Sequence, residues 1–186
     1  MNSLQSGSLF ALFAMVLVPA STPLAADGTE RATEDAAAVV TRLYRDFAWE
    51  AVMIEPYAPG LAQQPASVLQ RYFDEGLAER FVADRECVRR SGGICRLDHA
   101  PLWASQDPAA YDLRVKPTAQ ADVVEVEYSS PAPNATAPMR LRYELARGAQ
   151  GWRIVDIVSH EGRVSLRRQL DPKAPAETNE APAEAR

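Results

Sequence analysis

The sequence predicts an α+β domain in which N-terminal helices pack against a curved antiparallel sheet. Apolar residues recur at three- and four-residue steps before position 92, and the period becomes two from Leu113 onward. Because the strands follow one another without helices between them, they are expected to pair antiparallel. The composition, 47% apolar and 24% charged, is that of a chain that buries an ordinary core.

The first 26 residues predict a cleavable export signal. The apolar run from Leu9 to Ala20 is shorter than the ~20 residues of a spanning helix, and small residues ending at Ala26 follow it. The region before Leu9 lacks Lys and Arg, so an uncleaved anchor is the alternative. No cysteine stands directly after the run, where a lipid-modified N-terminal cysteine would be. We therefore expect a periplasmic or secreted domain without a stable membrane anchor after cleavage.

The first long helix is predicted to be capped by Thr33, to carry Glu34 and Asp35 in its first turn, and to end near Met53. Its amphipathic character comes from apolar residues at helical spacing: Val39, Val40, Leu43, Tyr44, Phe47 and Ala51.

Prolines between positions 56 and 65 interrupt the helical pattern, and a short apolar turn begins at Ser67. Asp74 is predicted to cap the next helix, which Gly92 and Gly93 end. One side of that helix carries the apolar residues Leu77, Ala78, Phe81, Val82 and Val88.

Cys87 and Cys95 are the only cysteines in the chain, and Gly92-Gly93 between them allows the chain to turn back. We expect a structural disulfide. A redox or metal-binding pair is the alternative, but it lacks Cys-x-x-Cys spacing and a second group of ligands.

The strand half begins after an irregular connection over residues 94–111. Two alternating segments, around Val126 and Leu141, predict a hairpin with glutamates opposite arginines on its solvent side. The segment from Trp152 to Val158 is apolar on both faces except for Arg153 and Asp156, and is predicted to be a central strand. Residues 171–186 are rich in Pro, Ala and Glu without a period, which predicts a disordered tail after a single domain over residues 27–170.

Several short segments in order resemble the DUF3828 family of exported bacterial proteins of unknown function, over roughly residues 35–170. The segments are Val40-x-x-Leu43-Tyr44, Tyr72-Phe73, Leu97-Asp98 with Pro101 leading to Gln106-Asp107, Gly151-Trp152-Arg153-Ile154-x-Asp156-Ile157, and Gly162 followed by Ser165-Leu166-Arg167-x-x-Leu170. The resemblance implies an NTF2-like or cystatin-like cone with a cavity between helix and concave sheet, but no established reaction. The chain lacks the lipidated cysteine of a lipoprotein member, so a membrane anchor is not implied.

Four residues are the candidates for a ligand pocket: Asp156, Asp107, Gln106 and Trp103. Asp156 stands in an apolar strand, where an ionised carboxylate needs a partner such as Arg114 or Arg167, or a solvated cavity. The alternatives are a structural ion pair for Asp156, turn-capping for Asp107, and core packing for Trp103, as for Tyr111 and Trp152.

Two histidines have a possible chemical role. Asp98-His99 has the composition of a general acid–base pair, although an exposed loop histidine beside a capping aspartate is the alternative. His160-Glu161 lacks the H-E-x-x-H spacing of a zinc site. Neither a metal nor a cofactor is predicted. With a net charge of −5 and no basic patch, the sequence also excludes nucleic acid as a partner.

Three functional hypotheses follow. The first is a non-catalytic periplasmic domain that binds a small ligand or a protein partner in the cavity of the cone. The second is an interaction protein of the envelope, or one that neutralises a toxin. The third is a small hydrolase or isomerase that uses Asp156, Asp107 or His99 in the cavity. The absence of phosphate-loop and nucleophile-elbow motifs favours a protein that is not an enzyme.

Overall fold

The structure, a computed structural model, describes residues 35–52, 59–132, 135, 137–159 and 163–174. The chain divides into two compact units, Met1–Glu30 and Arg31–Arg186. The first unit lies outside the described residues. The predicted signal peptide, His160-Glu161 and most of the predicted tail therefore cannot be compared with the structure, and they stay predictions.

Helix α1 spans Ala36–Phe47, and its N-cap is Asp35, whose Oδ1 accepts a hydrogen bond of 2.7 Å from the Ala38 N–H. This corrects the predicted cap, Thr33, which lies outside the described residues, and it makes Asp35 the cap rather than a residue of the first turn. The helix also ends earlier than predicted, at Phe47, and continues as a 3₁₀ turn over Ala48–Ala51. The tighter turn still buries Ala51, so the apolar periodicity persists although the α-helix does not.

A second 3₁₀ turn, Leu61–Gln63, precedes the short helix α2 (Ala66–Leu69) and the long helix α3 (Glu75–Ser91). The predicted limits of α3 are confirmed. Asp74 accepts a hydrogen bond from the Leu77 N–H at 2.9 Å, and Gly92 ends the helix in the left-handed conformation with φ 70°.

The last turns of α3 differ from the prediction. Val88 is 37% exposed, because the buried face of this helix is confined to its first half. Cys87 and Cys95 form a disulfide with their Cα atoms 6.1 Å apart. The Arg96 N–H donates to Asp84 Oδ1 at 2.8 Å, so the residue after the disulfide is also held to α3.

Five strands form one antiparallel sheet in the order β1-β2-β3-β4-β5. They are β1 (Tyr111–Pro117), β2 (Val123–Ser129), β3 (Met139–Gly148), β4 (Gly151–Ser159) and β5 (Val164–Ser165). A four-residue helix α4 (Leu166–Gln169) follows. The segment predicted to be a central strand is β4, which lies between β3 and β5, although β5 pairs only with its last two residues, Val158 and Ser159. Burial on both faces of β4 holds for residues 156–159.

The register confirms the predicted hairpin of β2 and β3, in which Glu125 lies opposite Arg142 and Glu127 opposite Arg140. The pairing of β3 with β4 shifts between Glu144 and Leu145. Such irregularities bend a sheet and increase its twist, which allows it to curve around a helix.

The core lies between α1 and the sheet, and α1 contacts β1, β2 and β4. Aromatic side chains fill much of this space. Tyr44 of α1 contacts the rings of Trp103 and Tyr143, with centroids 5.3 Å and 6.0 Å apart, and Trp103 contacts Tyr128 at 5.2 Å. The interior beneath α1 is therefore packed rather than open.

The predicted α+β class is confirmed: helices come first and pack on a five-stranded antiparallel sheet, in an arrangement compatible with a cone. In the part of the chain that the structure describes, no helix has both the length and the apolar character needed to cross a membrane.

Candidate functional site

An open cavity of about 660 Å³, the loop cavity, lies where two 3₁₀ turns meet the irregular connection before β1. The turn after α1 and the turn Leu61–Gln63 form part of its wall, and residues 100–109 complete it. Its lining residues are Trp49, Glu50, Ala51, Val52, Gly60, Gln63, Ala100, Gln106, Asp107, Pro108 and Ala109.

The side chain of Glu50 is held in this wall by a hydrogen bond from a residue eleven positions later in the chain. Its Oε1 accepts a hydrogen bond of 2.6 Å from the N–H of Leu61. Gly60 permits the approach, since a Cβ at that position would lie 2.6 Å from the same oxygen. A larger residue here would force the Glu50 side chain to move, whereas the backbone itself, with a φ of −62°, suits any residue.

The second oxygen of Glu50 is in an unusual position. Oε2 is buried and has no hydrogen-bond partner in the structure. Burial raises the pKa of the Glu50 carboxyl group, and the hydrogen bond from Leu61 offsets part of that rise. The carboxyl group therefore keeps one buried acceptor atom without a donor, which is costly for a buried polar group.

Gln106 and Asp107, two of the predicted pocket residues, both line the loop cavity. Gln106 Nε2 donates to Asp98 Oδ2 at 3.2 Å, and Asp98 Oδ1 lies 2.9 Å from Nδ1 of His99. The hydrogen bond with His99 is the main cause that lowers the pKa of Asp98. Asp98, which does not line the cavity, thus orients the amide group of Gln106 through this hydrogen bond.

The structure places Trp103 in the core rather than in a cavity wall. The residue is 2% exposed, and its carbonyl oxygen accepts a hydrogen bond from the hydroxyl group of Tyr128. The other two aromatic candidates differ from it: Tyr111 is 54% exposed, and Trp152 is partly buried against the core.

The carboxylate of Asp156 accepts hydrogen bonds from its own strand and from the segment that follows. Oδ1 accepts from the N–H of Ile157 at 2.8 Å and from the N–H of Arg167 at 2.9 Å, and Oδ2 accepts from Ser165 Oγ at 2.5 Å. Of its two predicted charged partners, Arg167 binds it through the main chain. The other, Arg114, is directed to Glu127.

The structure does not bring the candidates of the hydrolase or isomerase hypothesis together. Asp107 lines the loop cavity, Asp156 organises β5 and α4, and His99 borders a separate void of about 10 Å³, too small for an organic ligand. No group of three or more metal-ligating side chains occurs among the described residues.

Glu50 and Trp49 are the cavity residues that sequence reasoning missed. In the sequence they stand at the end of an amphipathic helix, where a glutamate is normally solvated. The one available signal was Pro59-Gly60, which marks a turn but not the residue it approaches.

Fold and site together define an α+β domain with an open cavity of ligand size at the end of its first helix. No family model matches the sequence, and no curated protein matches it. The chain is similar to a solved protein of unknown function from Bacteroides thetaiotaomicron, with 19% identity, coverage of 69% of this chain and 92% of that chain, and a TM-score of 0.46.

It is also similar to a phospholipid-binding protein from Ralstonia solanacearum solved in complex with a phospholipid. Here the identity is 15%, the coverage is 74% of this chain and 69% of that chain, and the TM-score is 0.31. At these TM-scores, neither likeness supports an argument about function.

Proposed function

We propose that this protein is a non-catalytic domain that binds a small ligand in the loop cavity. The observation that carries the proposal is the loop cavity itself, an open space of about 660 Å³ whose wall combines apolar side chains with the polar side chains of Glu50, Gln106 and Asp107.

The size and lining of the cavity support the same proposal. Its volume of about 660 Å³ falls within the ~300–1,000 Å³ of small-molecule sites. Apolar side chains and a few polar groups share the wall, as in sites where apolar contact supplies affinity and polar groups supply orientation. Glu50 is held by Leu61 and Gln106 by Asp98, so two of the polar groups are already oriented.

We also propose that the domain works after export, in the periplasm or outside the cell, and that it belongs to the DUF3828 family. The disulfide between Cys87 and Cys95 supports export, since such bonds persist mainly in oxidising compartments. The family proposal rests on the ordered segments of the sequence alone. Intact mass of the protein recovered from the periplasm tests export, because loss of the leader is expected; a full-length chain retained in the cytoplasm would contradict it.

The test of ligand binding uses Nile red, an uncharged probe whose fluorescence rises in apolar sites. Saturable binding with one probe per protein is expected. Ala109→Trp should abolish it by filling the mouth of the cavity, because Ala109 lines the cavity and is exposed. Ala119→Trp, at an exposed position between β1 and β2, is the matched control. Equal probe binding by the two variants, or none by the wild type, would reject the proposal.

A further inference from the structure

The residues enclosed by the disulfide form an exposed turn, which we call the disulfide tip, residues 88–94. Every residue from Val88 to Ile94 is exposed. A Cβ atom placed on Gly92 or Gly93 would meet no atom within 4 Å, so this part of the chain stands in open solvent. The tip is therefore accessible to a partner outside the chain.

Two contacts hold the tip against α3. The bond between Cys87 and Cys95 closes it, and the Arg96 N–H donates to Asp84 Oδ1 at 2.8 Å directly after it. A surface that is held before it binds loses less conformational freedom on binding.

The tip concentrates exposed apolar side chains. Four large apolar side chains are exposed among the described residues, and two of them, Val88 and Ile94, lie in the tip. Ile94 has the largest exposed fraction of the four, 74%. Transfer of these two side chains out of water is favourable, and the fold itself does not achieve it.

The tip is also the basic part of an acidic protein. Residues 87–97 contain Arg89, Arg90 and Arg96 and no acidic residue, a net charge of +3, so the rest of the chain carries −8. Arg89 pairs with Glu86 at 2.9 Å. The C-terminal end of a helix favours the arginines of its last turn, but this effect does not explain Arg96, which follows the helix.

We propose that the disulfide tip binds the surface of an anionic phospholipid bilayer. Its arginines bind lipid phosphates, and Ile94 and Val88 enter the boundary between headgroups and acyl chains. A bilayer fits better than an acidic protein, because two apolar side chains are far less than the ~1,200 Å² that a stable protein interface buries. This inference does not depend on the loop cavity.

The experiment measures cosedimentation of the protein with vesicles of phosphatidylcholine, alone or with about 30% phosphatidylglycerol. All residues of the described core lie between Ala36 and Leu170, so a chain that begins at Asp27 keeps the core and lacks the apolar leader. We expect binding to the anionic vesicles to be about tenfold tighter or more, since each arginine near such a surface contributes about fivefold. The preference should decrease in about 1 M salt, which screens the charges.

Two variants at exposed positions separate the charged from the apolar contribution. Arg90→Gln should weaken binding to anionic vesicles about fivefold and leave binding to neutral vesicles unchanged. Ile94→Ser should weaken binding to both kinds of vesicle, by about fivefold. Arg147→Gln and Tyr111→Ser, at exposed positions outside the tip, are the matched controls and should bind like the wild type.

The proposal is overturned if the protein does not bind anionic vesicles, or if Arg90→Gln and Ile94→Ser bind them like the wild type. Competition by poly-glutamate, without any effect of Ile94→Ser, would indicate an acidic protein partner instead. A dimer in analytical ultracentrifugation that Ile94→Ser dissociates would make a second copy of the chain the occupant. Each of these results leaves the proposal for the loop cavity, which Nile red tests, unaffected.

Discussion

The hydroxyl group of Tyr143 donates a hydrogen bond of 2.8 Å to the hydroxyl group of Tyr44, although the two residues are 99 positions apart. Tyr44 in turn donates to the carbonyl oxygen of Leu102 at 2.8 Å. This chain of bonds ties β3 to α1 and to the connection that carries part of the loop cavity. Desolvation raises the pKa of both hydroxyl groups, so they act as neutral donors.

The first prediction concerns the unequal roles of the two hydroxyl groups in this series of hydrogen bonds. Tyr44→Phe leaves both the Tyr143 hydroxyl and the Leu102 carbonyl without their partner, and should cost about 1–3 kcal/mol of unfolding free energy. Tyr143→Phe removes one donor and leaves Tyr44 bonded to Leu102, so it should cost about 0.5–1.5 kcal/mol. Urea unfolding measures both. Tyr111→Phe, at an exposed position, is the control. A larger loss of stability for Tyr143→Phe than for Tyr44→Phe would contradict the prediction.

The second prediction separates two roles of Asp74, which caps α3 and also lies 2.6 Å from Nη2 of Arg167 through both carboxylate oxygens. Asp74→Asn keeps a good cap but loses the ion pair, which is about one third exposed, so we expect a loss below about 1 kcal/mol. Asp74→Ala loses both and should cost about 1–2 kcal/mol. Denaturant unfolding measures both variants, and equal losses of unfolding free energy would show that the two roles of Asp74 do not contribute separately. Arg89→Ala, which removes an exposed ion pair, is the control.

The third prediction uses the pH dependence of Glu50. Burial raises the pKa of this group in the folded chain above its ordinary value of 4.5, so the folded state holds the proton more strongly than the unfolded state. Stability from this source is present at low pH and decreases as the pH rises from about 4.5 through the raised pKa. Nearby Tyr44 and Tyr143 remain neutral there.

Glu50→Gln removes this titration and keeps an acceptor for Leu61. The free energy of unfolding of the variant relative to the wild type should therefore increase between pH 4 and pH 7. Chemical unfolding at several pH values measures the difference. A difference that stays constant, or decreases, over this range would show that Glu50 is not desolvated in the folded protein.

The fourth prediction concerns the disulfide. The bond between Cys87 and Cys95 spans eight positions, and a loop of this size stabilises a domain by about 2–3 kcal/mol in the chain-entropy model. Adding a reductant should lower the unfolding free energy by that amount. The double variant Cys87→Ala/Cys95→Ala should have the unfolding free energy of the reduced wild type, with or without reductant. If reductant lowers the stability of this variant as well, the disulfide is not the cause of the effect.

The sequence was most informative where local chemistry decides the structure. Asp74 and Gly92 mark the ends of α3 because a side-chain cap and a left-handed glycine act within one helical turn. The alternation of Glu and Arg fixed which residues of β2 and β3 face solvent. The sequence was less informative at Phe47, where α1 gives way to a 3₁₀ turn although the apolar spacing continues.

The candidate site was predicted only in part. Gln106 and Asp107 were found because the irregular connection is where functional side chains are common, and both line the cavity. Trp103 has the same local sequence signals but lies in the core. Asp156 was recognised as a carboxylate in need of partners, yet most of its donors come from β5 and α4, beyond the strand that carries it.

By itself, the sequence determined the α+β class, both ends of α3, the hairpin and the cysteine pair, since each depends on spacing within a short stretch of chain. Only the tertiary structure decided that Glu50 is partly buried and where the open cavity lies. The environment of Glu50 is made by Gly60 and Leu61, which return to it after an intervening segment that the sequence shows only as a break in helical pattern. Burial and pKa depend on atoms close in space, and spacing along the chain does not reveal them.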